Sequence, residues 1–503
     1  MSGKLMRISL AAAILAVCLG YFVASRGGCS PLRSGKGYNL SRHDFGIPFL
    51  RFSGAEMLRN IKTEELITEV ENVIEQDGLP ADVFYGLSSR APDKEKQTQR
   101  KYDAEREELQ QHNIAVTLFD LFQEYDTSGE PNDMSELWKA SPIGEWDVDE
   151  QKLESVKTIL TKLDVKRQTI RKKLKDDEQT CFYYIFVRPE SRKSSKTSSE
   201  EEDSSWSGTW VNTWASKYLA DYALLEEYVI AQALLDGDID SAIDALAYMF
   251  RIAQVASALD NVGVRGDAAV VRIRAFDVMQ RVILDPRFEK KHMIRLRDLL
   301  TEQYENWTSE YFTWFGDRAS GLMLYQRISL NGLDALEQTE IEGLVKRRIN
   351  NSADEDETRS MFNQGFRKYH EADAAFYLRS MQAILDVSGK PLKSRQNVLN
   401  QINQELVAMK DRVDDDGIVS EYVVAYVLLK DVDRLMELFA KDQSALIRAF
   451  TAVLRSLGQN NTDSYLDPFT GKPYEVEKEQ GFFRISTTML PHPFRVPNFS
   501  ALE

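Results

Sequence analysis

Cysteine is almost absent from this chain. It has three in 503 residues, and two of them, Cys18 and Cys29, lie in or beside the N-terminal apolar run. Cys181 is left alone in the body, so no internal disulfide framework can form and stability has to come from burial. Histidine is also scarce. The five (His43, His112, His292, His370, His492) are widely separated, and none forms His-x-x-x-His or His-Glu-x-x-His. Zinc chemistry has no local support, and no metal ligand is assigned. Positive charge is outweighed: 63 Lys and Arg against 79 Asp and Glu leave a formal charge of −16. That is the wrong sign for a nucleic-acid partner, and for non-specific adhesion of the body to anionic lipid. A Gly-x-Ser-x-Gly elbow is missing, as is any fixed repeat period.

One long hydrophobic run is present. Lys4 and Arg7 precede Ile8–Ala24, about 17 residues without a charge, and a polar, glycine-rich stretch follows. Residues 1–25 therefore read as an export signal or membrane anchor. The body is expected outside the cytoplasm, either periplasmic and tied to the cell membrane or secreted after cleavage. Three fates fit this segment. It is retained as an anchor, cleaved near Val23 and Ser25, or lipidated at Cys18 after Leu15-Ala16-Val17, where Val17 is bulky for that role.

Residues 26–55 form a Gly-, Ser- and Arg-rich tether, and 56–190 an N-terminal helical region. Within it, Met57, Leu58, Ile61, Leu66, Ile67, Val70, Val73 and Ile74 have helical spacing, and 114–125 is apolar. Residues 126–147 read as a loop. A long basic helix spans 149–177, with Leu153, Val156, Ile159, Leu160 and Leu163 on one face and its lysines and arginines solvated. The run 181–187 reads as a core strand with a buried, inert thiol at Cys181, since no basic or histidine neighbour favours the thiolate. Residues 191–207 are a polar linker ending near Glu200-Glu201-Glu202-Asp203.

An α-hairpin domain is predicted over 208–460. Its helices run over 214–235, to about 259 after Asp236-Gly237-Asp238, then 266–284, 289–315, 318–338, 359–386, 392–411, 418–440 and 442–458. Asp238 or Asp240 can cap the second helix, and Ala231, Ala233, Ala242, Ala245 and Ala247 allow close helix approach. Residues 461–503 change character. A turn cluster precedes a β-hairpin, Tyr474–Glu479 and Phe482–Thr487 around Gln480-Gly481, and a Pro-rich exit with Pro491, Pro493 and Pro497 follows. The fold class is mainly α: an irregular α-hairpin array or bundle with a small C-terminal β-hairpin.

Candidate motifs fail on inspection. Ser34-Gly35-Lys36-Gly37 places Gly37 where a phosphate loop needs Ser or Thr. Glu124-x-Asp126-x-Ser128-Gly129 opens like a calcium loop but puts Pro131 at its apolar position and Ser135 at the bidentate Glu. Asp414-Asp415-Asp416-Gly417 puts Arg412 and Val423 at the first and last ligand positions. No catalytic residue or cofactor is assigned, and a discontinuous active site stays open. Trp206, Trp210 and Trp214 are four apart and share one helical face; Tyr218, Tyr222 and Leu225 continue it, as core packing requires. With Trp307 and Trp314 these tryptophans are the candidate contact surface.

Two stretches carry a resemblance. One runs from Ala231-Gln232-Ala233-Leu234-Leu235-Asp236-Gly237-Asp238 through Ile239–Leu246 to Gly316-Asp317-Arg318-Ala319. The other is Asp467-Pro468-Phe469-Thr470-Gly471-Lys472-Pro473-Tyr474 with Gly481-Phe482-Phe483. Together they resemble uncharacterised envelope proteins of planctomycete-type bacteria. That resemblance implies an N-terminal anchor, a helical body and an Asp-Pro-Phe-x-Gly-x-Pro hairpin, and brings no activity. The turn at Asp467, Pro468, Gly471 and Pro473 also resembles the C-terminal hairpin of type II secretion major pseudopilins. Here Phe469 stands for Trp, Thr470 is inserted, and the N-terminal processing site is absent. The expected function is a membrane-anchored extracytoplasmic binding or scaffold protein with a protein or envelope partner. The alternatives are an envelope hydrolase with an acidic site and a secretion-system accessory.

Overall fold

The structure is a computed structural model. It describes residues 111–126, 132–140, 150–176, 180–182, 212–258, 261–311, 313–314, 317–318, 321, 373, 376–410, 423–459, 462, 464–487 and 489–499. The leader, the tether, the linker and the helices predicted near 56–76 and 318–338 lie outside these, apart from the isolated positions 318 and 321. No described helix is long and apolar enough to cross a membrane.

Asn113 starts α1 (Ile114–Phe122). Its side chain accepts the Ala115 N–H, and a bridge to Cys181 fixes the entry, with Ile114 N donating to Cys181 O at 2.8 Å. Of the predicted strand only Cys181 and Phe182 are described, and both are buried. A 3₁₀ turn, Gln123–Asp126, follows. The loop expected over 126–147 contains a helix, α2 (Asp133–Lys139). Asn132 and Ser135 cap it reciprocally, and Met134 and Leu137 face inward. Seven residues give too little periodicity to register in a sequence window. The Ser135 judged against a calcium loop is thus a capping residue. α3 (Glu150–Asp176) matches the long basic helix and buries Leu153, Val156, Leu163, Ile170 and Leu174.

The centre is a layer of three consecutive, mutually packed helices: α4 (Asn212–Asp236), α5 (Ile239–Ser257) and α6 (Val262–Leu284). Short connections make neighbours antiparallel. Gly237 takes φ +79, and a Cβ there would lie 2.6 Å from Arg287 Nη1, so Asp236-Gly237-Asp238 breaks the chain as expected. Asp238 is the cap, accepting the Ser241 N–H at 3.0 Å, whereas Asp240 pairs with Arg295. Ala242, Ala245, Ala268, Ala269 and Ala275 are buried where helices approach. The Phe250 and Phe276 rings meet at 4.8 Å.

α7 (Lys290–Glu305) packs on α5. Residues 376–387 are helical, then come α8 (Leu392–Lys410), α9 (Val423–Leu429) and α10 (Val432–Ser456). The break expected between 440 and 442 lies instead at Lys430-Asp431. Residues 441–444 run on inside α10, because Asp442 and Ser444 face the interior and find partners there. α10 touches α6, α7, α8 and the tail.

The tail is a three-stranded antiparallel sheet in the order β1 (Val476–Glu479), β2 (Phe482–Ile485), β3 (Phe494–Pro497). The hairpin turn is at Gln480-Gly481, with Gly481 at φ +78. The Pro-rich exit is corrected: Phe494–Pro497 forms the third strand, and Pro497 closes its edge where no partner needs a proline N–H. Ile485, Phe494 and Val496 are buried, and β2 and β3 pack on α10. The protein is mainly helical with this small sheet.

Candidate functional site

Among the described residues, three clusters of interior charge each join separate elements of the fold. The first is on α4, where consecutive residues Glu226 and Glu227 are wholly buried. Glu226 faces α3 and takes Arg167 and Arg171, with Arg171 Nε donating to its carboxylate at 2.8 Å. Glu227 faces α6 and takes Arg274, whose Nη2 donates at 2.6 Å. Burial pushes the Glu227 carboxyl up to about 7, although Arg274 and Arg281 draw it down. Arg167 and Arg171 are therefore not part of a solvated face; the exposed lysines of α3, such as Lys157, are.

The second place lies between α6, α10 and the segment after α7. Arg272 Nε and Nη2 grip Asp442 of α10 at 2.9 and 2.7 Å. Arg395 of α8 grips Glu310 through Nη1, at 2.8 and 2.7 Å to its two oxygens. Arg265 is fully buried and donates to Thr308 O, Ser309 O and Thr313 Oγ1. Its burial lowers it to about 10.

Two of the sequence-picked tryptophans belong to this network. Trp314 is 0 % exposed and donates its indole N–H to Glu310 at 2.8 Å, so it is core and presents no surface. Trp307 is half-buried, with the Arg272 guanidinium 4.4 Å from its ring centroid and that of Arg265 at 5.9 Å. Trp206 and Trp210 lie outside the described residues. Trp214 falls in the first turn of α4, and its side chain lies outside them too.

The third place is the tail. Arg448 of α10 is buried, donates to His492 O at 2.6 Å, and is lowered by burial to about 10. Asp277 of α6 keeps a solvent-facing side, yet surrounding protein raises its carboxyl against the pull of Arg448 and His492. The turn at Asp467, Pro468, Gly471 and Pro473 has a structural task. The Asp467 carboxylate accepts the Phe469 N–H and the Thr470 hydroxyl, at 3.1 and 3.0 Å. The carbonyls of Pro468 and Phe469 accept the Leu392 and Lys393 N–H groups, at 2.8 and 3.1 Å. The turn thus satisfies the otherwise orphaned first donors of α8 from a distant part of the chain.

Sequence reading missed all three networks except their tryptophans and the turn. The available signal was the pair Glu226-Glu227 set between the apolar runs Ala223-Leu224-Leu225 and Tyr228-Val229-Ile230-Ala231. Among the described residues, no group of three or more His, Cys, Asp or Glu side chains is arranged to hold a metal ion. The fold and these networks define a mainly helical body whose interior charges tie its elements together. Compared with protein-family models, curated proteins and solved structures, the chain matches none.

Proposed function

We propose that the chain is a membrane-anchored extracytoplasmic protein that acts by binding a protein or other envelope component, as a scaffold of the cell envelope. The leader Ile8–Ala24, introduced by Lys4 and Arg7, supports the location. The observation that carries the binding half is the use of interior charge. Glu226, Glu227, Glu310 and Asp442 each grip an arginine from another part of the fold, so these acids hold the array in shape. A rigid helical array recognises by surface. Trp206, Trp210 and Trp214 are the contact residues to test. Full-length protein is expected in the membrane fraction with its body accessible from outside the cytoplasm, and deletion of residues 1–25 is expected to abolish both. A crosslink to one envelope component should be lost in a W206A/W210A variant that still folds. Recovery of the full-length protein in cytosol overturns the location, and unchanged crosslinking in the variant overturns the contact surface.

A hydrolase reading has one observation in its favour: Asp277 and His492 are both solvent-facing and within electrostatic range of each other. The secretion-accessory reading needs a free hairpin, and the docked tail sheet weighs against it.

A further inference from the structure

Glu226 and Glu227 are adjacent on α4 and equally buried, but they are held unequally. Glu226 has two guanidinium partners, Arg167 and Arg171; Glu227 has one, Arg274. The same Arg274 guanidinium lies 4.9 Å from the centroid of the Trp138 ring near the end of α2. Trp138 is 37 % exposed, and its indole N–H donates to Asp221 of α4 at 2.8 Å. One residue beyond Glu227, the Tyr228 hydroxyl donates to the Leu137 carbonyl at 2.8 Å. These contacts tie α2 to α4 by two hydrogen bonds and to α6 by one ring–guanidinium contact. The guanidinium in that last contact is the one Glu227 holds.

We propose that Glu227, Arg274 and Trp138 form a protonation-controlled latch between α2 and the helical body, shut when Glu227 is ionised and loosened when it is neutral. The latch is independent of where in the cell the body resides. The charged and titratable groups facing Glu227 are Arg274, Arg281 and Asp277 from α6 and Tyr228 from α4 itself. α2 offers the Trp138 ring, while its Glu136 and Lys139 pair with each other in solvent. From α3, Arg167 and Arg171 are committed to Glu226. A neutral carboxyl loses its Coulomb hold on the guanidinium. Arg274 is 27 % exposed and can turn to water without being trapped as a buried charge. Since burial carries the Glu227 carboxyl up to about 7, the change falls near neutrality.

The test is hydrogen exchange of the α2 amides in the full chain, corrected for intrinsic rates, over about two pH units either side of neutrality. Wild-type α2 is expected to lose about threefold to tenfold of its protection on the acid side, the worth of one partly exposed cation–ring contact. E227Q is expected to show the low protection at every pH. H492Q is expected to titrate like wild type, and D277N to keep the transition with its midpoint moved to lower pH, because the Asp277 charge helps to raise the Glu227 carboxyl. R274Q is expected to behave as E227Q and answers the question if E227Q does not fold. The proposal is overturned if wild type shows no acid-side loss, or if the loss persists with its midpoint unchanged in E227Q or R274Q.

Discussion

Gly471 shows how one residue can be held by two independent constraints. Its φ is +70, and a Cβ there would meet the Pro391 ring at 2.6 Å, a rigid neighbour that also leads into α8. Gly389 and Gly481 share the positive φ, each at +78, but have open space where a Cβ would go. The three glycines therefore separate backbone cost from steric cost. Gly389→Ala and Gly481→Ala should each lower the unfolding free energy by about 1 kcal/mol, the left-handed penalty alone. Gly471→Ala should cost about 2–3 kcal/mol, because the turn must also back away from α8. Urea melts of the three variants make the comparison. Equal losses would show that the turn at 467–473 moves freely relative to α8.

At the level of elements, α10 is the clearest case of a helix held by its polar residues. Asp442 sits mid-helix and buried, closed on Arg272 of α6. Asp442→Ala should cost about 3–5 kcal/mol by leaving a guanidinium buried without its carboxylate. R272M/D442L, which removes both charges, should recover most of that loss in a double-mutant cycle. The same residue explains a limit of the sequence. Lys441-Asp442-Gln443-Ser444 looks like a polar break, and nothing local shows that Asp442 has a partner 170 residues away. α4, α5 and α6 were legible because broad apolar stripes are punctuated by Asp236-Gly237-Asp238 and Asp285-Pro286. α2 was too short to show a period, and β3 was hidden by Pro491 and Pro493 before it and Pro497 at its end. The turn at Asp467–Pro473 was legible as a turn, but its use as the cap of α8 was not. Trp314 looked available for contact because its burial is set by Glu310, Arg395 and Phe439, two of them far along the chain.

Across the whole molecule, the raised carboxyls set how stability responds to pH. Glu227 and Asp317 are each pushed up to about 7 by burial. An acid whose pKa is higher folded than unfolded contributes stability in full below its ordinary value, and loses it as pH rises through the folded value. Mild acidification should therefore stabilise the fold, opposed below neutrality by His292, whose pKa is lowered by burial. Unfolding free energies from urea melts at about pH 8 and about pH 5.5 should differ less in E227Q than in wild type, by about 2 kcal/mol. An unchanged difference would mean that Glu227 stays ionised throughout. Global stability and the attachment of α2 are thus expected to move in opposite directions over the same pH range.

The tail sheet is clasped to α6 by a reciprocal pair. Gln280 donates to the Arg495 carbonyl and accepts the Arg495 N–H, each at 2.7 Å, across 215 residues of sequence. A ribosome making this chain emits α6 long before the strand that completes its surface. Closure over such a span is slow, and the exposed intermediate is prone to sticking.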